Sequence, residues 1–143
     1  KFNYENAPFF DLFWKDIELI LNKKYRKLIE LNIELINYFK SILEINTEII
    51  LSSNLNINFN GSEKLYEICR ILEADTYLSG ELGQNYLNLE IFEKNNIKII
   101  FEKFQHPTYS QINSQFLPNM SIIDLLFNEG DNSINILKKC KNY

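Results

Sequence analysis

The chain has 143 residues, 45% of them hydrophobic and 24% charged, which is the composition of a globular domain rather than of a disordered segment. Its 15 basic and 19 acidic side chains give a net charge of −4, which argues against nucleic acid as a partner. Two distant cysteines, with no apolar run near the roughly 20 residues of a membrane span, favour a cytoplasmic protein with free thiols.

The first part of the chain has the apolar spacing of two helices. From Pro8 to Leu21 apolar residues recur every three or four positions, which predicts an amphipathic helix with a wide aromatic face. We interpret Phe9, Phe13 and Trp14 on that face as core residues rather than as a cofactor-stacking surface. A broader apolar stripe predicts the second helix from about Tyr25 to Ile45.

The middle of the chain alternates between strand and helix patterns. Strands are predicted at Thr47–Leu51, Thr76–Leu78 and Ile97–Lys103, and helices are predicted to begin near Asn60 and Asn88. This order is typical of a parallel sheet with right-handed crossovers. The sequence therefore predicts an α/β fold, a small three-layer domain in which two helices precede a short βαβαβ sheet, with residues 1–143 as a single domain.

The last part of the chain carries helix signals again. Ser121 and Asp124 have the spacing of an N-terminal cap, and Gly130 is a typical helix stop. A final helix is predicted from about Ser133 to Lys141. Capping is the favoured explanation of Ser121 and Asp124, although these two residues and Asn128 also form a candidate polar cluster.

Polar residues follow the ends of two predicted strands. Ser79, Gly80 and Gly83 form a turn whose backbone N–H groups suit a phosphate or carboxylate, but a plain tight turn explains them equally well. His106 is the only histidine and the candidate general base, with a structural role as the alternative. Since parallel strands present their ligands at their carboxyl ends, we expect Ser79 and His106 to converge. One histidine excludes a histidine-cluster zinc site, and we predict no metal ligands.

From Thr76 to Gly130, around the turn with Ser79 and Gly80 and around His106, the sequence resembles the WbqC-like family. Leu82 stands where family members often have glycine. Family members usually begin with a Gln-Pro-x-Tyr-x-Pro-like segment, which is absent here, so we expect the chain to be the C-terminal portion of a longer protein. The shared residues run in order from Thr76 to Gly130: Thr76-Tyr77-Leu78-Ser79-Gly80, Gly83, Tyr86-Leu87, His106-Pro107, Tyr109, Gln111, Phe116-Leu117-Pro118, the stretch from Ser121 to Asn128, and Gly130.

The resemblance implies a transferase of surface-polysaccharide (O-antigen-type) biosynthesis that moves an acyl or aminoacyl group to a nucleotide-linked amino sugar. It implies a nucleotide or nucleotide-sugar as the small-molecule partner and His106 as the catalytic residue. The implied substrate-binding residues are Ser79, Gly80, Gly83, Tyr86, Tyr109, Gln111, Asp124 and Asn128.

A non-catalytic binding or assembly module is the alternative hypothesis. The aromatic density from Phe2 to Trp14 and the lack of a complete catalytic constellation favour it. In this role the wide apolar helical face docks a partner or an N-terminal half. The sequence assigns no cofactor, and a homo-oligomer stays open.

Overall fold

The computed structural model describes residues 2–113 and 115–140, which form two compact units. Within these residues, the first unit combines residues 2–47 with 106–140, and the second consists of residues 48–105. The first unit holds α1 (Phe10–Leu21), α2 (Leu28–Ile42), α5 (Ile122–Glu129) and α6 (Ser133–Lys139); the second holds α3 (Gly61–Ile71), β1 (Thr76–Gly80), α4 (Leu89–Lys94) and β2 (Lys98–Glu102). Short 3-10 helices lie at Ser52–Leu55, Glu81–Asn85 and Gly130–Asn132.

The core of the first unit forms where α1 packs against α5. The buried face of α1 carries Phe10, Phe13 and Ile17, spaced by three and four residues as the sequence predicts. Phe10 meets Phe127 of α5 edge to face, with ring centroids 5.1 Å apart. Each such side chain stabilises the fold by about 1.5–3 kcal/mol when fully buried. Phe9, which we expected in the core, is instead 37% exposed, because the helix and its buried face begin at Phe10.

Phe9, which precedes α1, contacts the C-terminal end of α5 through its backbone and its ring. Its backbone N–H donates to the carbonyl of Phe127 over 2.9 Å, just before α5 ends at Gly130. Gly130 has φ +54°, and a β-carbon there would lie 2.6 Å from the Phe9 ring. Only glycine fits both the backbone angle and this close approach. The predicted helix stop at Gly130 is thus confirmed, and the same glycine makes room for the ring of Phe9 at the start of α1. Lys141, the predicted end of the last helix, lies outside the described residues.

The second unit is built on two parallel strands. Tyr77 and Ser79 of β1 pair with Ile99 and Phe101 of β2, so the carboxyl ends of both strands lie at the same edge. Helices α3 and α4 cover one face of this sheet around the buried Cys69, Phe92 and Ile97. The α/β class with a short parallel sheet and the core position of Cys69 are confirmed.

The strand predicted at Thr47–Leu51 does not form. Within residues 2–113 and 115–140 the sheet has two strands rather than three, and the predicted run is irregular up to the 3-10 helix at Ser52–Leu55. Ile49 and Ile50 are 38% and 43% exposed. β-Branched residues favour strands because they pack well on the half-buried surface of a sheet. Without a neighbouring strand to pair with, this run does not form a strand. Across the part of the chain that the structure describes, no helix combines the length and the apolar character needed to cross a membrane.

Candidate functional site

A small cavity opens in the first unit beside the start of α5. Its volume is about 120 Å³, and about 10–15 Å³ is enough to hold one water molecule. Tyr4 and Asn3 line it from the start of the chain, and Gln111, Asp124 and Asn128 line it from the later segment. The walls therefore combine these polar side chains with the apolar side chains of Ile112, Leu117 and Met120, and they leave room for a small group.

Asp124 carries the only carboxylate among the residues that line this cavity. It lies in the first turn of α5 and is 5% exposed. Its Oδ2 accepts a 2.7 Å hydrogen bond from the hydroxyl of Tyr109 and a 2.8 Å bond from Nε2 of Gln111. The capping explanation is correct for Ser121, whose Oγ accepts from the N–H of Ile123 over 3.4 Å. It is wrong for Asp124, because two long-range donors hold its carboxylate.

Two tyrosines interact with this carboxylate, and Tyr109 donates a hydrogen bond to it. Burial raises the pKa of Tyr4 to about 12, and the Asp124 carboxylate adds to the shift. Burial also raises the pKa of Tyr109, again reinforced by Asp124, although the hydrogen bond with Gln111 opposes the rise. Both phenols therefore keep their protons at neutral pH and present O–H donors.

Gln111 joins the carboxylate to the loop that walls the cavity. Its Nε2 donates both to Asp124 and, over 3.0 Å, to the carbonyl of Leu117. Its Oε1 accepts from the N–H of the same Leu117 over 2.8 Å. An amide nitrogen has two hydrogens, so this network uses both of them and fixes which way the amide points. The shape of the loop and the position of Asp124 are therefore coupled through one side chain.

Asn128 closes the wall one helical turn beyond Asp124. Its Nδ2 donates to the backbone carbonyl of Asp124 over 2.7 Å, and the residue is 7% exposed. Residues four positions apart share one face of a helix, which places both on the cavity side of α5.

His106 lies next to Tyr109, with ring centroids 5.9 Å apart. Its Nδ1 is 2.8 Å from the carbonyl oxygen of Pro107. Since a carbonyl only accepts hydrogen bonds, Nδ1 carries the hydrogen, and in the neutral ring the basic lone pair belongs to Nε2. This is the tautomer that a general base acting through Nε2 needs.

The turn predicted at Ser79–Gly83 begins later than expected, because Ser79 and Gly80 belong to β1 and Gly83 lies in the 3-10 helix that follows. Ser79 is 4% exposed, and its hydroxyl donates to the carbonyl of Gly80 over 3.2 Å. A β-carbon on Gly83 would lie 2.0 Å from the Ser79 Oγ, so close packing requires that glycine. Around Gly80 a β-carbon would meet nothing within 4 Å, and Tyr86 is 70% exposed. Packing thus accounts for Ser79 and Gly83, while a binding role for these four residues stays a prediction.

The structure brings four of the predicted site residues together, and three of them, Gln111, Asp124 and Asn128, line one cavity. Tyr109, Gln111, Asp124 and Asn128 share a continuous hydrogen-bond network, although what they bind stays a prediction. The expected convergence of Ser79 and His106 joins residues of different units and also stays a prediction. Sequence reasoning missed Tyr4, which belongs to no motif and lies far from Asp124 along the chain.

A metal site finds no support in the part of the chain that is described. There, no group of three or more His, Cys, Asp or Glu side chains is arranged to hold an ion. The polar side chains that line the cavity offer one carboxylate, the phenol of Tyr4 and amide groups, beside the apolar side chains of Ile112, Leu117 and Met120.

The molecule is thus an α/β protein with a small cavity in which one buried carboxylate holds the polar side chains together. A model of the WbqC-like protein family matches residues 1–136, and the chain belongs to that family. The match extends the resemblance beyond residues 76–130 to the helical first part. "Uncharacterized protein Rv1507c" from Mycobacterium tuberculosis (strain ATCC 25618 / H37Rv) is 29% identical over 144 residues, which cover 99% of this chain and 62% of the relative. The chain therefore spans less than two-thirds of that relative's length. No solved structure matches the chain significantly.

Proposed function

We propose that the protein is a transferase of surface-polysaccharide biosynthesis that moves an acyl or aminoacyl group to an amino sugar on a nucleotide carrier. It acts in the cytoplasm, as the C-terminal portion of a longer enzyme. Membership of the WbqC-like family supports a biosynthetic role. The observation that carries the proposal is the cavity around the buried carboxylate of Asp124, which is 5% exposed.

The proposed reaction forms an amide from an amine and an activated acyl donor, such as a thioester or an acyl phosphate. The neutral amine attacks the acyl carbon, the new N–C bond forms, and the bond from that carbon to the leaving group breaks. The proton that the nitrogen loses passes through Nε2 of His106 to the leaving group. The hydrogen bond between Nδ1 and the Pro107 carbonyl, at 2.8 Å, supports this role because it leaves the lone pair on Nε2.

Mass spectrometry of N-acylated product tests this proposal. The protein is incubated with a panel of nucleotide-linked amino sugars and activated acyl donors, and the wild type is compared with His106→Gln and His106→Ala. Loss of a general base costs about 10²- to 10⁴-fold in turnover. Turnover within a few-fold of wild type in both variants removes His106 from the mechanism, and no product from any pair contradicts the transferase proposal.

Exposed apolar residues of the second unit favour assembly as a second candidate function. Leu82 and Tyr86 are 73% and 70% exposed, and Phe104 is 55% exposed. Apolar side chains of this size, when they form one patch, mark an interaction surface. Sizing by light scattering distinguishes the two candidates, because a monomer at micromolar concentration that is unchanged by Leu82→Glu contradicts assembly with itself.

A further inference from the structure

The Asp124 carboxylate is held almost entirely by neutral groups. It is 5% exposed, and its Oδ2 accepts from Tyr109 and from Gln111. Tyr4 lines the same cavity, and Asp124 contributes to the raised pKa of its hydroxyl. Buried charges in proteins are normally paired with an opposite charge, because burying an isolated ion costs far more than burying a neutral polar group.

No counter-ion accompanies this carboxylate within residues 2–113 and 115–140. The ion pairs there join Lys23 with Glu34, Arg70 with Glu67, and Lys94 with Glu90, and none involves Asp124. Ionised carboxylates are acceptors with about four lone-pair directions, and the hydroxyl of Tyr109 and the amide of Gln111 donate to Asp124. Room for one more donor remains, and a positively charged donor supplies the missing charge.

The side chains that line the cavity favour an ammonium group over a metal ion as the positively charged donor. Metal ions prefer several anionic or imidazole ligands, and the described residues offer no group of three such side chains. Amide groups of Asn3, Gln111 and Asn128 line the space instead. Each primary ammonium group has three N–H donors, so one carboxylate and neighbouring amide oxygens match it better than they match a metal.

We infer that this cavity is a subsite for a primary ammonium group, with Asp124 as its charge partner. The inference rests on the proposed function in one respect, namely that an amino sugar carries the amine. With about 120 Å³, the cavity takes the amino group and adjoining atoms rather than a whole nucleotide-sugar. The ammonium form is the bound form, and it gives up one proton to solvent water before the neutral nitrogen attacks an acyl carbon.

Protein-observed NMR titration of the whole chain tests this inference without any turnover. The probes are D-glucosamine, N-acetyl-D-glucosamine and D-glucose, in one buffer of constant ionic strength. N-acetylation removes the positive charge, and glucose replaces the amine by a hydroxyl. We expect glucosamine to shift the side-chain amide signals of Gln111 and Asn128 and to bind about 10- to 100-fold more tightly than the other two sugars, as for a hydrogen bond to a charged group.

The Asp124→Asn variant removes the charge and keeps the shape of the side chain. Loss of the preference for glucosamine is the expected result. The matched control is Asp131→Asn, which removes an exposed carboxylate of the same unit and is expected to leave the preference unchanged. Equal loss in both variants overturns the inference, because the effect is then one of net charge.

Comparison of the three sugars with wild-type protein decides the matter even if Asp124→Asn does not fold. Equal affinities for the three sugars overturn the inference, as does the absence of shifts at 100 mM glucosamine. The proposed function fails separately. Amine binding at Asp124 without N-acylated product refutes the transferase and keeps the subsite, whereas N-acylated product without a preference for the free amine refutes the subsite alone.

Discussion

Tyr109 and Asp124 form a hydrogen bond of 2.7 Å between two side chains that are 9% and 5% exposed. The first residue belongs to the irregular segment that precedes α5, and the second to the first turn of that helix. Their bond anchors this segment to the helix and orients the carboxylate within the cavity. Stability and binding thus depend on the same contact.

Substitution Tyr109→Phe removes the hydroxyl and leaves Oδ2 of Asp124 with one donor fewer. Because a buried acceptor that loses its partner costs about 1–3 kcal/mol, we expect the free energy of unfolding to fall by that amount. Urea denaturation followed by fluorescence measures the change. Tyr86→Phe, at a tyrosine that is 70% exposed, is the control and is expected to stay within about 0.5 kcal/mol of wild type.

Gly83→Ala tests the close packing behind β1. The new β-carbon would lie 2.0 Å from the Ser79 Oγ, so Ser79 must move, and we expect a loss of about 1–3 kcal/mol of stability. Gly80→Ala is the matched control, because nothing lies within 4 Å of its β-carbon position. In the double variant Ser79→Ala, Gly83→Ala, part of the loss is recovered, since the nearest atom of residue 79 is then the β-carbon at 3.2 Å. Strictly additive losses contradict this explanation.

Alkaline pH is expected to destabilise the first unit through Tyr4. Its pKa is raised from 10.0 to about 12 in the folded protein, first by burial and then by Asp124. Below pH 10 both states keep the proton and the stabilisation is complete. Between pH 10 and about 12 the unfolded chain ionises first and binds fewer protons, so the free energy of unfolding falls as pH rises. Urea denaturation at several pH values checks this, and an identical slope in Tyr4→Phe contradicts it.

The two cysteines are expected to react at different rates with iodoacetamide. Burial raises the pKa of the Cys69 thiol, and this residue is 5% exposed inside the second unit. Cys140 is only partly buried at the end of α6. Peptide mass spectrometry at pH 8 is expected to find Cys140 modified first, and Cys140→Ser to leave only slow labelling. In 6 M urea, where the chain is unfolded, both cysteines are expected to react at equal rates. Equal rates in the native protein contradict the burial of Cys69.

The predictable part of the fold was the part with local signals. Three- and four-residue spacing located α1, and the strand patterns at Thr76–Leu78 and Ile97–Lys103 correspond to β1 and β2. The strand at Thr47–Leu51 was wrong because a β-branched run forms a strand only beside a hydrogen-bonded neighbour. Pairing is a long-range property, and no local pattern contains it.

In the candidate site, too, local features were predictable from the sequence and long-range contacts were not. Ser121 does cap α5, as its spacing with Asp124 predicts, but the Asp124 side chain turns away to Tyr109 and Gln111. A cap pattern describes residues three apart and carries no information on donors thirteen or fifteen positions away. Tyr109 and Gln111 entered the prediction through their place after the second predicted strand together with the family resemblance, and Tyr4 through neither route.

The Phe10–Phe127 contact makes the first unit discontinuous along the chain, because the whole second unit is encoded between its two halves. During synthesis on the ribosome, residues 48–105 can complete their own core while α1 has only α2 to pack against and still lacks α5. Until α5 emerges, the face of Phe10 that meets Phe127 is open to chaperones and to other nascent chains. The order of translation therefore leaves the core of the first unit incomplete until the end of synthesis.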